Sequence, residues 1–144
     1  MSTVTRALVA LLVALWLVPG LLPGPGPVPA ADAVTYHKWG RAAAPDQRLR
    51  SGCHDYRYHY RIKVPSNEWN AEVFLVNRKH VALGTQNFET PDDGKRGHAT
   101  FRVCRQSTVA GRHKLKMRVS WYENDPERTV HRGWVRPTYF RLYR

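Results

Sequence analysis

The chain has 144 residues, enough for one domain of ordinary size and too few for a second. Lysine and arginine number 23 against 11 aspartates and glutamates, which gives a formal net charge of +12 and favours contact with polyanions. Only one long apolar run is present, near the N-terminus, and this excludes a protein with several membrane spans.

Residues 1–33 have the pattern of a secretory signal peptide. Arg6 supplies a short positive segment, the apolar run ALVALLVALWLV follows, and a Pro/Gly-rich stretch comes next. Small residues permit cleavage after Ala30 or after Ala33, and the apolar run is shorter than the roughly 20 residues of a bilayer span. We therefore expect a secreted, extracellular protein with no stable membrane span. Cleavage after Ala33 removes one cation and one acid, so the net charge stays at +12.

Residues 34–52 have a weak pattern, and we expect an irregular lead-in or linker there, with a short strand at most in VTYHKW. The two cysteines, Cys53 and Cys104, follow in the part that would be exported. An even cysteine count in an exported protein favours a disulfide. Cys104 shares its strand side with the polar Arg102, so we expect the disulfide near a strand end, where it would add on the order of 4 kcal/mol.

From Cys53 onward apolar and polar residues alternate, as is typical of β-strands. The clearest examples are DYRYHYRIKV and HKLKMRVSWYE, and weaker ones are WNAEVFLVN, HVALGTQNF and HATFRVC. Arg136-Pro137 separates TVHRGWV from TYFRLYR, which predicts one broken strand or two short ones. We predict an all-β fold: a single antiparallel β-sandwich over residues 53–144 with six or seven short strands. A small barrel of the OB type is the alternative.

The segments AEVFLVNRKHVALGT, GHATFRVC and AGRHKLKMRVSWYE together resemble the middle strands of secreted bacterial immunoglobulin-like or fibronectin-III-like domains. The order Cys53, Trp69, Cys104 is also similar to that of immunoglobulin domains. Arg102 departs from the family, which has a tyrosine at that position. The resemblance covers roughly residues 53–144, implies an immunoglobulin-like sandwich, and carries over no functional residue.

Two strands have a row of cations on their polar side. The candidate anion-binding residues are Arg57, His59, Arg61, Lys63, Lys114, Lys116 and Arg118. If both strands belong to one sheet, the rows merge into one patch. Such a patch would bind an anionic cell-surface polymer, an acidic polysaccharide or a nucleic acid. The alternative is a merely solvated outer face whose cations discourage edge aggregation. Along DYRYHYRIKV the tyrosines share the core side, so that strand provides no stacking platform.

The sequence gives weaker support to other functions. A small basic hydrolase of the ribonuclease type would need a base, Glu89 or Glu123, and an acid, His98 or His131. A protease inhibitor would present the loop ETPDDGKRG or RQSTVAGR. The seven histidines form neither H-x-H nor H-E-x-x-H, so we expect no metal and no cofactor. We therefore predict a non-catalytic, monomeric binding module.

Overall fold

The computed structural model describes residues 34–144, which form nine β-strands and no helix. The predicted all-β fold is therefore confirmed, whereas the predicted signal peptide lies outside the described residues. No helix among the residues described is able to cross a bilayer. The strands are β1 (Tyr36–His37), β2 (Gly40–Ala43), β3 (Gln47–Arg48), β4 (Cys53–Ile62), β5 (Trp69–Val76), β6 (Ala82–Glu89), β7 (Arg96–Cys104), β8 (Gly111–Tyr122) and β9 (Val130–Tyr143).

The strands form two sheets. The large sheet has the order β1-β9-β8-β5-β6, with β3 also paired to β9, and the small sheet has the order β2-β4-β7. All pairs are antiparallel except β1 and β3, which run parallel to β9. The structure therefore has more strands than the six or seven predicted, and it is not purely antiparallel.

The segment predicted as a lead-in, residues 34–52, is part of the fold. It supplies β2 to the small sheet and both β1 and β3 to the large sheet. Ala42, Ala43 and Leu49 from this segment are buried. Strands of two to four residues are too short to show a period of two, so the sequence pattern could not reveal them. The domain boundary predicted at residue 53 is therefore too late.

One hydrophobic core lies between the two sheets. Alternate residues of β4, β5 and β8 face it, as the sequence alternation of these strands predicts. Its largest fully buried side chains include Tyr58, Leu115 and Met117. The Tyr58 hydroxyl donates to the Gln86 side-chain oxygen at 2.5 Å, and the Gln86 amide donates to the Thr100 carbonyl at 2.8 Å. Burial raises the pKa of Tyr58 far above its usual range, so the hydroxyl keeps its proton and links the two sheets.

The predicted disulfide between Cys53 and Cys104 is confirmed. Cys53 is the first residue of β4 and Cys104 the last of β7, and the two lie directly opposite each other in the small sheet. The bond therefore lies at a strand end, as the parity of Cys104 predicts. It joins neighbouring strands of one sheet, whereas the disulfide of antibody domains joins two sheets.

Strand β9 continues through Arg136 and Pro137 instead of breaking. Leu115 pairs with Thr138, and Met117 pairs with Val135, so both residues of the Arg-Pro step lie opposite Lys116. This is the arrangement of a β-bulge, in which two residues oppose one. Because a bulge leaves one residue out of the ladder, it accommodates a proline that has no N–H to donate.

A buried histidine should make the stability of the protein depend on pH. The His113 side chain is 1% exposed, and its ring nitrogens lie 3.0 Å from the Thr108 hydroxyl and 3.0 Å from the Gly111 carbonyl. The carbonyl can only accept, so the neutral ring donates to Gly111 and accepts from Thr108. Burial lowers the pKa of His113 below its ordinary 6.5, against the opposing effect of the Gly111 hydrogen bond.

As the pH falls through 6.5 the unfolded chain takes up this proton before the folded protein does, so the free energy of unfolding decreases. Above 6.5 the contribution of His113 is constant. Urea unfolding at pH 7.5 and pH 5 measures the difference, and His113→Gln should show a smaller difference than the wild type. An equal pH dependence in the two proteins would contradict the assignment.

Candidate functional site

The two predicted rows of cations lie in different sheets. Arg57, His59 and Arg61 belong to β4 in the small sheet, whereas Lys114 and Lys116 belong to β8 in the large sheet. The condition for a single merged patch is therefore not met. The sequence could not decide this point, because the same alternation suits a strand in either sheet.

The outer surface of the small sheet, which we call the arginine face, carries cations from all three strands. Arg41 of β2 pairs with Arg61 of β4, and Arg61 pairs with Arg96 of β7 on its other side. Neighbouring strands lie about 4.8 Å apart, so the three backbone positions span about 10 Å. Within residues 34–144 the unpaired cations of this face are Arg41, Arg57, His59, Arg61, Lys63, Arg96 and His98, all of them exposed, and Asp55 and Arg102 lie beyond them on the same surface.

The cations of the arginine face have no acidic partners among residues 34–144. The ion pair on this sheet that involves a strand carboxylate joins Arg102 and Asp55 at 4.0 Å, and both side chains are largely exposed. Like charges directly opposite each other on a sheet are destabilising. The imidazoles of His59 and His98 also pair across the strands, with ring centres 6.4 Å apart. The arginine face is therefore a concentration of uncompensated positive charge.

The outer surface of the large sheet, which we call the aromatic-cation face, has a different construction. The Arg112 guanidinium lies 3.7 Å from the centre of the Tyr139 ring, and the Lys116 ammonium lies 4.2 Å from that of Trp134. Cation–π attraction restrains both cations on their rings. The face comprises Phe74 of β5, Arg112, Lys114, Lys116 and Arg118 of β8, and Arg132, Trp134, Tyr139 and Arg141 of β9.

Arg118 differs from the other predicted cations because it is paired with an acid. Its Nε lies 2.5 Å from Glu72 Oε2, and the two residues are directly opposite each other on β8 and β5. The hydrogen bond to Glu72 raises the pKa of Arg118, and the carboxylate neutralises its charge. The cations of β8 that remain for a ligand on this face are therefore Arg112, Lys114 and Lys116.

Lys114 borders two clefts on the aromatic-cation face. One has a volume of about 260 Å³ and is lined by Arg78, Arg112 and Tyr139 among others. The second has a volume of about 100 Å³, with Tyr36 and Trp134 in its wall. Both are smaller than the 300–1,000 Å³ that is usual for small-molecule sites. They fit substituents of a polymer lying across the face better than an enclosed small molecule.

The candidates for hydrolysis are only partly brought together. His131 Nε2 lies 2.9 Å from Glu123 Oε2, and the His131 ring stacks on Trp121. Glu123 and His131 therefore form a hydrogen-bonded pair, whereas the strands of Glu89 and His98 belong to different sheets.

Metal binding and protease inhibition have no better support. Residues 34–144 contain no group of three histidines, cysteines or carboxylates placed to hold a metal ion. Of the loops considered for inhibition, RQSTVAGR contains Thr108, whose side chain is buried against His113 and faces away from solvent.

Sequence reasoning missed Arg41, Arg96 and His98 on the arginine face. Arg96 and His98 alternate with Gly97 and Ala99 in RGHATFRVC, and this alternation was the available signal. Arg41 lies in a strand of four residues, which is too short to show one. Tyr139 and Trp134 were read only as strand residues, because their contacts with β8 depend on the pairing of β8 with β9.

No protein-family model matches the chain, and no curated protein or solved structure matches it. The two faces therefore carry the functional inference by themselves. Nearly all of their cations project from strands, so the ladder hydrogen bonds fix the backbone beneath each charge. A rigid support of this kind reduces the conformational entropy that is lost when a ligand binds.

Proposed function

We propose that the protein is a secreted, non-catalytic β-sandwich module of immunoglobulin-like type that binds anionic surface polymers through the arginine face. The observation that carries the proposal is the row of Arg41, Arg61 and Arg96. These residues are directly opposite one another across three strands, and no acid within residues 34–144 forms an ion pair with them. The disulfide supports an extracellular location, because such bonds persist in oxidising compartments.

A row of three guanidinium groups is well suited to a polyanion. Each guanidinium has five donors in a planar fork that matches carboxylate, sulfate or phosphate oxygens. In the unbound protein the three charges repel one another. Anionic groups that lie between them remove this repulsion, and its removal contributes to the free energy of binding. Arg57 of β4 and Lys63, which directly follows β4, extend the positive charge along this strand and would contact neighbouring repeats of the polymer.

The chemistry of both faces favours a surface polymer or acidic polysaccharide over a nucleic acid. Sequence-tolerant binding of single strands uses open aromatic rings on which bases stack. The only ring side chains assigned to the arginine face are the imidazoles of His59 and His98. On the other face, Tyr139 and Trp134 have the protein's own cations stacked on them. Charged groups, rather than bases, are therefore the features that these faces would recognise.

Retention on immobilised polymers at increasing salt tests the proposal. The wild-type protein should bind an acidic polysaccharide and a teichoic-type polyphosphate and pass through a neutral polysaccharide column. Elution from the acidic columns below about 100 mM salt, where screening is still modest, would show that the charge is only solvating. Tighter binding to single-stranded DNA than to either surface polymer at the same salt would reject the partner class.

A further inference from the structure

We propose that the aromatic-cation face is a second, separate polyanion site, and that one molecule therefore bridges two chains of an acidic polysaccharide. This inference rests on the proposed function of the arginine face. The observation behind it is that the two predicted rows of cations lie in different sheets of one domain. A single patch would hold one polymer, whereas two patches on opposite surfaces hold two.

The direction of the side chains places the two faces on opposite sides of the domain. Tyr58 and Tyr60 of β4 lie in the same core cluster as Leu115 and Met117 of β8. Successive side chains of a strand point to opposite sides of its sheet. The residues between these core positions, which carry the cations, therefore point away from the core and away from each other. Packed sheets lie about 10 Å apart, so a polymer on one face reaches the other only by bending around an edge.

The aromatic-cation face has its own means of holding anions. The ring of Tyr139 restrains Arg112, and the ring of Trp134 restrains Lys116. Between them Lys114 borders both clefts, into which substituents of a sugar ring can enter. Ordering a long cationic side chain on binding is unfavourable, and the contact of Arg112 and Lys116 with the rings has already reduced part of this loss.

The acidic side chains of residues 34–144 lie where they do not prevent a polyanion from binding to either face. Within the strands, Asp55 and Glu72 are each paired with an arginine, and Glu89 is the last residue of β6. The remaining acids of residues 34–144 lie outside the strands, namely Asp46, Glu68, Asp92, Asp93, Glu123, Asp125 and Glu127. Repulsion of a polyanion is therefore concentrated in the loops, and both outer faces attract.

A two-step capture experiment tests the bridging. Beads carrying an acidic polysaccharide are loaded with protein and washed, and a fluorescent sample of the same polysaccharide is added. The wild type should capture the fluorescent chain. Three variants, each lacking three cations, are compared: R41T/R61T/R96T on the arginine face, R112T/K114T/K116T on the aromatic-cation face, and the exposed loop and terminal residues K79S/R105S/R144S as control.

Each single-face variant should still bind the beads but capture at least about tenfold less fluorescent polymer than the control variant. Circular dichroism establishes that the variants are folded. If the wild type does not bind the beads, the proposed function itself is wrong. If the wild type binds the beads but captures no fluorescent polymer, the bridging is wrong. The bridging is also wrong if the aromatic-cation variant captures as much as the control, and self-association through one face then explains the capture.

Discussion

Replacing Cys53 and Cys104 together by serine is expected to lower the free energy of unfolding by about 4 kcal/mol. The two residues are 51 positions apart, and the loop that they close contains β5 and β6 of the large sheet as well as β7. Cutting the link therefore frees segments of both sheets in the unfolded chain. A domain of this size has about 5–15 kcal/mol of stability in total, so the loss is a large fraction of it.

Urea unfolding of the oxidised wild type and of C53S/C104S measures this effect. The variant should still fold, because β4 and β7 keep the rest of their antiparallel register. Reduction of the wild type provides the control, since it should reproduce the loss without any substitution and should leave the variant unchanged. A variant within about 1 kcal/mol of the oxidised protein would contradict the prediction, because the disulfide would then restrict the unfolded chain far less than a loop of this length implies.

The longer strands could be predicted from the sequence because each has one side more buried than the other. In β4 the tyrosines are buried and the cations between them are exposed, as their spacing indicates. Such a pattern identifies a strand and its two sides, but it contains no information about which strand lies beside it. The separation of β4 and β8 into different sheets therefore had to come from the structure.

The candidate site depends even more on which strands are neighbours, and the sequence does not reveal this. Arg57 and Arg61 were predicted to be exposed and are exposed. The row that carries the proposal needs Arg41 and Arg96 as well, and only the register of three strands brings these residues beside Arg61. Along β4 itself the aromatics and cations are separated, whereas on the large sheet they come together from neighbouring strands. A search along one strand could not find that arrangement.

In a protein whose aromatic-cation face already carries R112T/K114T/K116T, replacing Arg41, Arg61 and Arg96 together by threonine is expected to weaken binding to an acidic polysaccharide by about 100-fold at physiological salt, or about 2.7 kcal/mol. In nucleic acid complexes each neutralised phosphate contributes about 0.7–0.9 to the slope of log K against log salt. Loss of three contacts should therefore reduce this slope by about 2–3. Affinity chromatography or calorimetry at several salt concentrations measures both quantities, and K79S/R105S/R144S is the charge-matched control.

The same substitution should not damage the fold, and this separates loss of binding from loss of structure. The three arginines are exposed, have no ion-pair partners within residues 34–144, and repel one another across the strands. Threonine is uncharged and favourable in strands. The free energy of unfolding should therefore stay equal or rise by up to about 1 kcal/mol while affinity falls. A slope equal to that of the control would contradict the site, because binding would then depend on total charge and not on the alignment of Arg41, Arg61 and Arg96.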